Sequence, residues 1–120
     1  MATILVVEDN AQNLKLVQLL LQKGGHTVLT SDNGEGGLER ARAQRPELIL
    51  MDVQMPGMDG LTVTRLLKQD PSTRHIKVVA LTALAMKGDA ERILAAGCDA
   101  YLAKPFHYTE LLDTVTRALG

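Results

Sequence analysis

Short, wholly apolar runs alternate along this chain with longer stretches whose apolar residues recur at helical spacing. Ile4-Leu5-Val6-Val7 is the first run, and its unbroken apolar character suits a strand buried on both faces. Asn10 is placed to cap a helix in which Leu14, Val17 and Leu21 fall at i, i+3 and i+7, with Gly24-Gly25 ending it. His26 to Thr30 reads as a second strand and Asn33 to Ala43 as a second helix, although Gly36 and Gly37 would each cost it roughly 1 kcal/mol against Ala. Pro46 breaks that helix, and Leu48-Ile49-Leu50-Met51 follows as a third strand. Asp52 to Gly60 is a loop rich in turn residues, centred on Pro56-Gly57. A helix over about Leu61 to Lys68, a strand at Val78-Val79-Ala80-Leu81, and a helix over about Met86 to Ala95 come next. Ala100-Tyr101-Leu102 forms a short fifth strand, and Tyr108 to Leu119 a last helix with Leu111, Leu112, Val115 and Leu119 on one side.

Five strands alternating with five helices demand a mostly parallel sheet with helices on both faces. Right-handed crossovers leave few topologies, and the expected one is an α/β, doubly wound, five-stranded parallel sheet of order 2-1-3-4-5. This order predicts a site as well, beyond the carboxyl ends of the strands and between strands one and three, where the winding reverses.

Composition narrows the picture. A chain of 120 residues is one domain, expected to run over residues 1–120, and large enough for a core without staples. Two Tyr, one Phe and no Trp argue against the stacking platforms of single-stranded nucleic acid binders, and a net charge of −1 lacks the basic excess of a DNA-binding surface. No nucleic acid partner is expected. The longest nearly apolar run, Val78 to Met86, falls far short of a membrane span, and the N-terminus lacks a basic signal region. With one cysteine, Cys98, the expected compartment is the reducing cytoplasm. Cys98 reads as a small buried apolar residue, and Met51, Met55, Met58 and Met86 as packing. His26, His75 and His107 have no ligand spacing for zinc, and Arg40, Arg42 and Arg45 favour a helix C-terminus.

The strand ends carry the chemistry. Strand one ends in Glu8-Asp9, strand three in Asp52 and strand four in Thr82, while strand five leads into Lys104-Pro105. In the expected order Asp9 and Asp52 lie side by side with Glu8 next to them. Three carboxylates so close cannot all stay ionised cheaply without a cation, and a hard divalent ion, Mg²⁺, resolves the repulsion. Lys104 adds an ammonium and Thr82 a hydroxyl, which together suit the oxygens of a transferring phosphoryl group. Taken singly, each residue has a plainer reading: Asp52 a turn opener, Glu8 and Asp9 helix-end acids, Thr82 a cap, Lys104 a solvated lysine, Pro105 a loop breaker. Four independent strand ends presenting one chemistry outweigh those readings together.

The segments Val6 to Asn10, Leu50 to Gly60, Ala80 to Ala83 and Tyr101 to Pro105 resemble the receiver domains of two-component response regulators. The resemblance runs from residue 3 to about 119, and Ala85 to Asp89 with Ala96-Gly97-Cys98 is similar to two subgroups: DivK-type stand-alone regulators and receivers attached to hybrid histidine kinases. It implies the flavodoxin-like receiver fold and a phosphorelay function. Asp52 would be the phosphoacceptor, taking a phosphoryl group from a phosphohistidine as a nucleophile. Asp9, Asp52 and the backbone carbonyl of Gln54 would bind Mg²⁺, with Glu8 acting through water. Lys104 would pair with the phosphoryl oxygens, aimed by a cis bond to Pro105. Thr82 would swing toward the new group and Tyr101 would fill the vacated space, shifting the face of the fourth helix, fifth strand and fifth helix. Gln54 and Leu84 would tune the phosphoryl lifetime, with apolar Leu84 impeding the attacking water.

The resemblance also implies partners: a histidine kinase or histidine phosphotransfer protein docking on Asn10 to Lys15, and a downstream protein target, with the receiver a monomer or a weak phosphorylation-dependent dimer. It would be a signalling protein that catalyses only its own phosphorylation and dephosphorylation. Tyr101, Phe106 and Tyr108 fall within eight residues and are expected on the output face. An Mg²⁺-dependent phosphohydrolase using Asp52 is the enzymatic alternative, but haloacid-dehalogenase-type enzymes place a second Asp where Gln54 stands. A flavodoxin-like flavin carrier is the other, and Glu8-Asp9 would repel its phosphate.

Overall fold

Strands with no polar residue on either face must be covered on both sides, and that requirement shapes the whole chain. The computed structural model describes residues 2–83 and 88–120. Its elements are β1 (Thr3–Val7), α1 (Ala11–Lys23), β2 (Thr27–Ser31), α2 (Gly34–Gln44), β3 (Leu48–Asp52), α3 (Gly60–Gln69), β4 (Lys77–Thr82), α4 (Asp89–Ala95), β5 (Ala100–Ala103) and α5 (Tyr108–Leu119). The strands form one parallel sheet of order β2-β1-β3-β4-β5, as the alternation of elements predicts.

Successive residues of each central strand enter opposite layers of core. Ile4, Val6, Leu48, Leu50, Val79 and Leu81 pack with Val17 and Leu21 of α1 and Leu111 and Val115 of α5. Leu5, Val7, Ile49, Met51, Val78 and Ala80 face the other way, onto α2, α3 and α4. Each of the Val, Leu, Ile and Met side chains among them contributes about 1.5–3 kcal/mol relative to exposure. The edge strands β2 and β5 are only partly buried and carry Thr, Ser and Tyr accordingly.

Local signals set most boundaries. The side chains of Asn10, Asn33 and Asp59 accept backbone N–H bonds from Asn13, Gly36 and Thr62, capping α1, α2 and α3. β2 starts one residue later than its hydrophobicity suggests, because the His26 N–H closes α1 by donating to Leu21 O. The His26 ring Nδ1 accepts from Ala2 N at 3.2 Å, so it serves the fold. Among the described residues α4 starts at Asp89, and the expected beginning at Met86 lies outside them. Arg40 and Arg42 do more than favour a helix end: Arg40 donates to Thr30 O at 2.8 Å, and Arg42 pairs with Asp70 at 3.4 Å.

Opposite the carboxyl ends of the strands, Asp99 ties three elements together. Its Oδ2 accepts from Val78 N at 2.8 Å and from Lys68 Nζ at 3.0 Å, and Lys68 also donates to Ile76 O at 2.7 Å. We expect Asp99→Ala to lower stability by about 2 kcal/mol, the usual cost of stranding a partly buried donor and a charged partner. Urea denaturation checks this, and Mg²⁺ affinity should stay unchanged because the tie lies at the far end of the sheet.

Candidate functional site

β1 and β3 are neighbours, with Val7 in register with Met51, so Glu8-Asp9 and Asp52 leave the sheet side by side. Glu8 and Asp52 are buried and Asp9 is exposed, and carboxylate oxygens of all three lie within 4.8 Å of one another. Lys104, just past β5, reaches across: its Nζ is 3.0 Å from Glu8 Oε1 and 3.6 Å from Asp52 Oδ1. The Asn10 N–H donates to Glu8 Oε2 at 3.3 Å and the Gln54 N–H to Asp52 Oδ1 at 3.1 Å. Among the described residues, every buried side-chain nitrogen and oxygen has a partner.

The same surroundings act on the two buried carboxyls in opposite directions. Burial raises Asp52 most, the hydrogen bond and negative charge of Glu8 raise it further, and attraction to Lys104 and the Gln54 N–H only partly offset them, leaving its pKa at about 7. Glu8 goes the other way. Burial pushes it up too, but hydrogen bonds from Asp52, Lys104 and the Asn10 N–H, with the charge of Lys104, outweigh that and hold it below the ordinary value. Glu8 is thus the carboxyl that favours its ionised form and Asp52 the one pushed toward its neutral form. The donor set fits a hard divalent ion: oxygen only, three convergent carboxylates, one of them open to solvent.

The other expected residues fall around this cluster. Thr82 is buried at the end of β4, beside β3, and its carbonyl accepts from the Lys104 N–H at 2.8 Å. The Lys104–Pro105 bond is cis, as the resemblance implies. Tyr101 is half-exposed on β5, paired with Ala80. Leu84 lies outside the described residues.

The aromatic residues do not share one face. Phe106 lines a cavity of about 370 Å³ with Glu8, Asn13, Leu16, Val17 and Lys104, on the α1 side. Tyr108 lines a groove of about 410 Å³ with Leu20, Lys23, Gly24 and Leu112, between α1 and α5. Only Tyr101 stands at the β5–α5 edge, near Thr114 and Arg117. The expectation of a common output face fails because Phe106 packs into the core layer under α1 and α5, whereas Tyr101 is half-exposed on the edge strand. Cys98 is buried and its thiol is pushed up by burial, in keeping with a packing role.

Two features escaped the strand-end reading. The apolar surface of α1 continues past Lys15, with Leu16 and Leu19 exposed. Gly60 lies directly under the phosphoacceptor candidate: a methyl there would overlap the carbonyl oxygen of Asp52 and stand 2.8 Å from Met51 Cγ. A glycine opening a helix immediately after its Asp59 cap is the sequence signal that marks it.

A family model described as a response regulator receiver domain matches residues 4–116. The chain belongs to this family of receivers. The polar-differentiation response regulator DivK of Brucella anthropi is 46% identical over 118 residues, covering 98% of this chain and 96% of that one. Among solved structures, the receiver domain of sensor histidine kinase PA1611 from Pseudomonas aeruginosa is 38% identical with a TM-score of 0.91, covering 99% of this chain and 98% of that one. That structure has a magnesium ion coordinated in its active-site cleft. The chemotaxis protein CheY4 of Vibrio cholerae superposes with a TM-score of 0.92 at 29% identity, covering 98% of each chain. The receiver is a signalling protein of the phosphorelay type, and no helix among its described residues is long and apolar enough to cross a membrane.

A carboxyl whose folded pKa is raised stabilises the fold below its ordinary value of 3.8 and loses that contribution as pH climbs through about 7. In EDTA, Asp52→Asn should therefore be more stable than the parent at pH 8, by up to a few kcal/mol at about 1.4 kcal/mol per pKa unit. The gap should close toward pH 4, with thermal melts across that range as the measurement. A constant gap, or a less stable variant at pH 8, would contradict the assignment of the proton to Asp52.

Proposed function

We propose that this receiver accepts a phosphoryl group on Asp52 from a phosphohistidine of a histidine kinase or phosphotransfer protein, and passes the signal on by protein contact. The convergence of Glu8, Asp9 and Asp52 opposite Lys104 carries this reading. Asp9, Asp52 and the Gln54 carbonyl would hold Mg²⁺, with Glu8 acting through water. The ion, when bound, supplies charge that neutralises the phosphoryl oxygens and favours the ionised form of Asp52.

The chain's own residues do the rest. A carboxylate oxygen of Asp52 attacks phosphorus as the P–N bond to the donor histidine breaks, and the electron pair stays on the imidazole nitrogen. The Gln54 N–H, already on Asp52 Oδ1, orients the attacking carboxylate. Lys104, now shared between Glu8 and Asp52, is placed to turn to the arriving phosphoryl oxygens. Thr82 and Tyr101, on adjacent strands, are the switch pair that reports the new dianion to the face of α4, β5 and α5. The cavity lined by Asn13, Leu16 and Phe106 opens beside the site, so α1 is the surface on which the donor protein would seat. Residues 1–120 act as one receiver unit in this reading, in the cytoplasm and with no chemistry beyond gain and loss of the phosphoryl group.

Incubation with Mg²⁺ and acetyl phosphate should add one phosphoryl mass to the protein. Asp52→Asn should take up none, and Lys104→Ala should be slowed by about 10²-fold, as when a charge-stabilising donor is removed. Equal labelling of Asp52→Asn would defeat the proposal. Leu84 is assigned to holding back the hydrolytic water, so Leu84→Glu should speed loss of the phosphoryl group several-fold; an unchanged decay removes that assignment.

A further inference from the structure

We propose that Gly34, the first residue of α2 and outside every strand-end motif, is a positioning residue for the Asp52 site. The inference rests on the phosphoryl-accepting reading above.

The loop over residues 53–59 carries Gln54 and is fastened at both ends. The Gly60 N–H donates to Val53 O at 3.2 Å, and Asp59 caps α3 through the Thr62 N–H at 2.9 Å. Its middle turns at Gly57, with φ at 75°, and then presents the Met58 carbonyl toward α2. A methyl on Gly34 would overlap that carbonyl oxygen and come within 3.0 Å of Val63 Cγ2. The obstacle is backbone, so it yields only if the loop or the helix moves.

α2 has little room to retreat. A methyl on Gly37 would stand 2.8 Å from Val7 Cγ2, so the helix already lies hard against β1. The Asn33 cap fixes its first turn through the Gly36 N–H at 2.6 Å. Gly34 and Gly37 run against helix propensity, which favours Ala, and at both positions a methyl would collide with a neighbour, so the requirement there is steric. The loop must therefore give way, and the Gly60–Val53 hydrogen bond transmits its displacement to Val53-Gln54 and to the carboxylate that Gln54 orients.

The test compares Gly34→Ala with Gly36→Ala and Asp99→Ala, reading Mg²⁺ affinity by calorimetry, phosphorylation by acetyl phosphate, and thermal melts in EDTA. The atoms nearest a methyl at Gly36 belong to the Ser31 and Asn33 side chains and not to the 53–59 loop, and Asp99→Ala destabilises the far end of the sheet. Gly34→Ala should weaken Mg²⁺ binding about tenfold and slow phosphorylation at saturating Mg²⁺, a loss typical of groups that orient metal ligands. The two controls should bind and react as the parent does. Unchanged Mg²⁺ affinity in Gly34→Ala, or an equal loss in Asp99→Ala, overturns the proposal.

A second measurement needs no variant. In the unaltered protein, Mg²⁺ should shift the Gly34 and Glu35 amide resonances together with those of Gln54 and Met58, since the coupling is reciprocal. Shifts at Gln54 and Met58 with Gly34 unmoved also overturn it. A parent that binds Mg²⁺ but takes no phosphoryl group refutes the phosphoryl reading, while these Mg²⁺ measurements still decide the role of Gly34. A parent that binds no Mg²⁺ refutes both.

Discussion

Two carboxyl groups, Glu8 and Asp52, are buried beside each other at the ends of adjacent strands, with the ammonium of Lys104 3.0 Å from the first and 3.6 Å from the second. Burying such a pair unbalanced would be expensive, and everything near it serves to balance it. The Asn10 and Gln54 N–H groups each give one hydrogen bond to a carboxylate, Lys104 approaches both, and the Asp52 carboxyl is pushed up to about 7. The arrangement stores an electrostatic demand that a divalent cation or an added phosphoryl group can act upon. A site already satisfied by two ionised partners would have less to gain from either.

Holding that demand in place requires a rigid frame. The parallel sheet supplies it, because β1 and β3 are buried on both faces and their carboxyl ends cannot drift apart without exposing Ile4 to Val7 and Leu48 to Met51. The loop after Asp52 is the weaker element, since it carries Gln54 but no strand of its own. It is wedged by glycines, with Gly60 under the Asp52 carbonyl and Gly34 against the Met58 carbonyl. The chemistry of this receiver thus depends on two places where no side chain exists, as well as on the acidic residues.

Much of this was legible from the order of residues. The unbroken apolar runs at Ile4 to Val7 and Leu48 to Met51 required a sheet covered on both faces, and Asn10 and Asn33 marked helix starts that the structure contains, while the Asp59 cap of α3 was read only as part of a loop. Reading the residues just beyond each strand brought Glu8, Asp9, Asp52, Thr82 and Lys104 to one end of the sheet, and the structure brings them there. The aromatic residues misled, because nearness along the chain does not decide which side of the sheet a ring enters: Phe106 and Tyr108 border α1 and Tyr101 does not. Gly36 and Gly37 registered only as a cost to α2.

By itself, then, the sequence determined the alternation of strands and helices, the parallel sheet and the identity of the residues at its carboxyl end. These follow from period, capping and chain crossover, which are local or topological rules. Only the tertiary structure decided which carboxyl is pushed up and which held down, how far Lys104 reaches, and which glycines must be glycines. Those outcomes depend on burial and on distances of about 3 Å between segments far apart in the chain, such as Glu8 and Lys104. A linear pattern carries no term for such contacts.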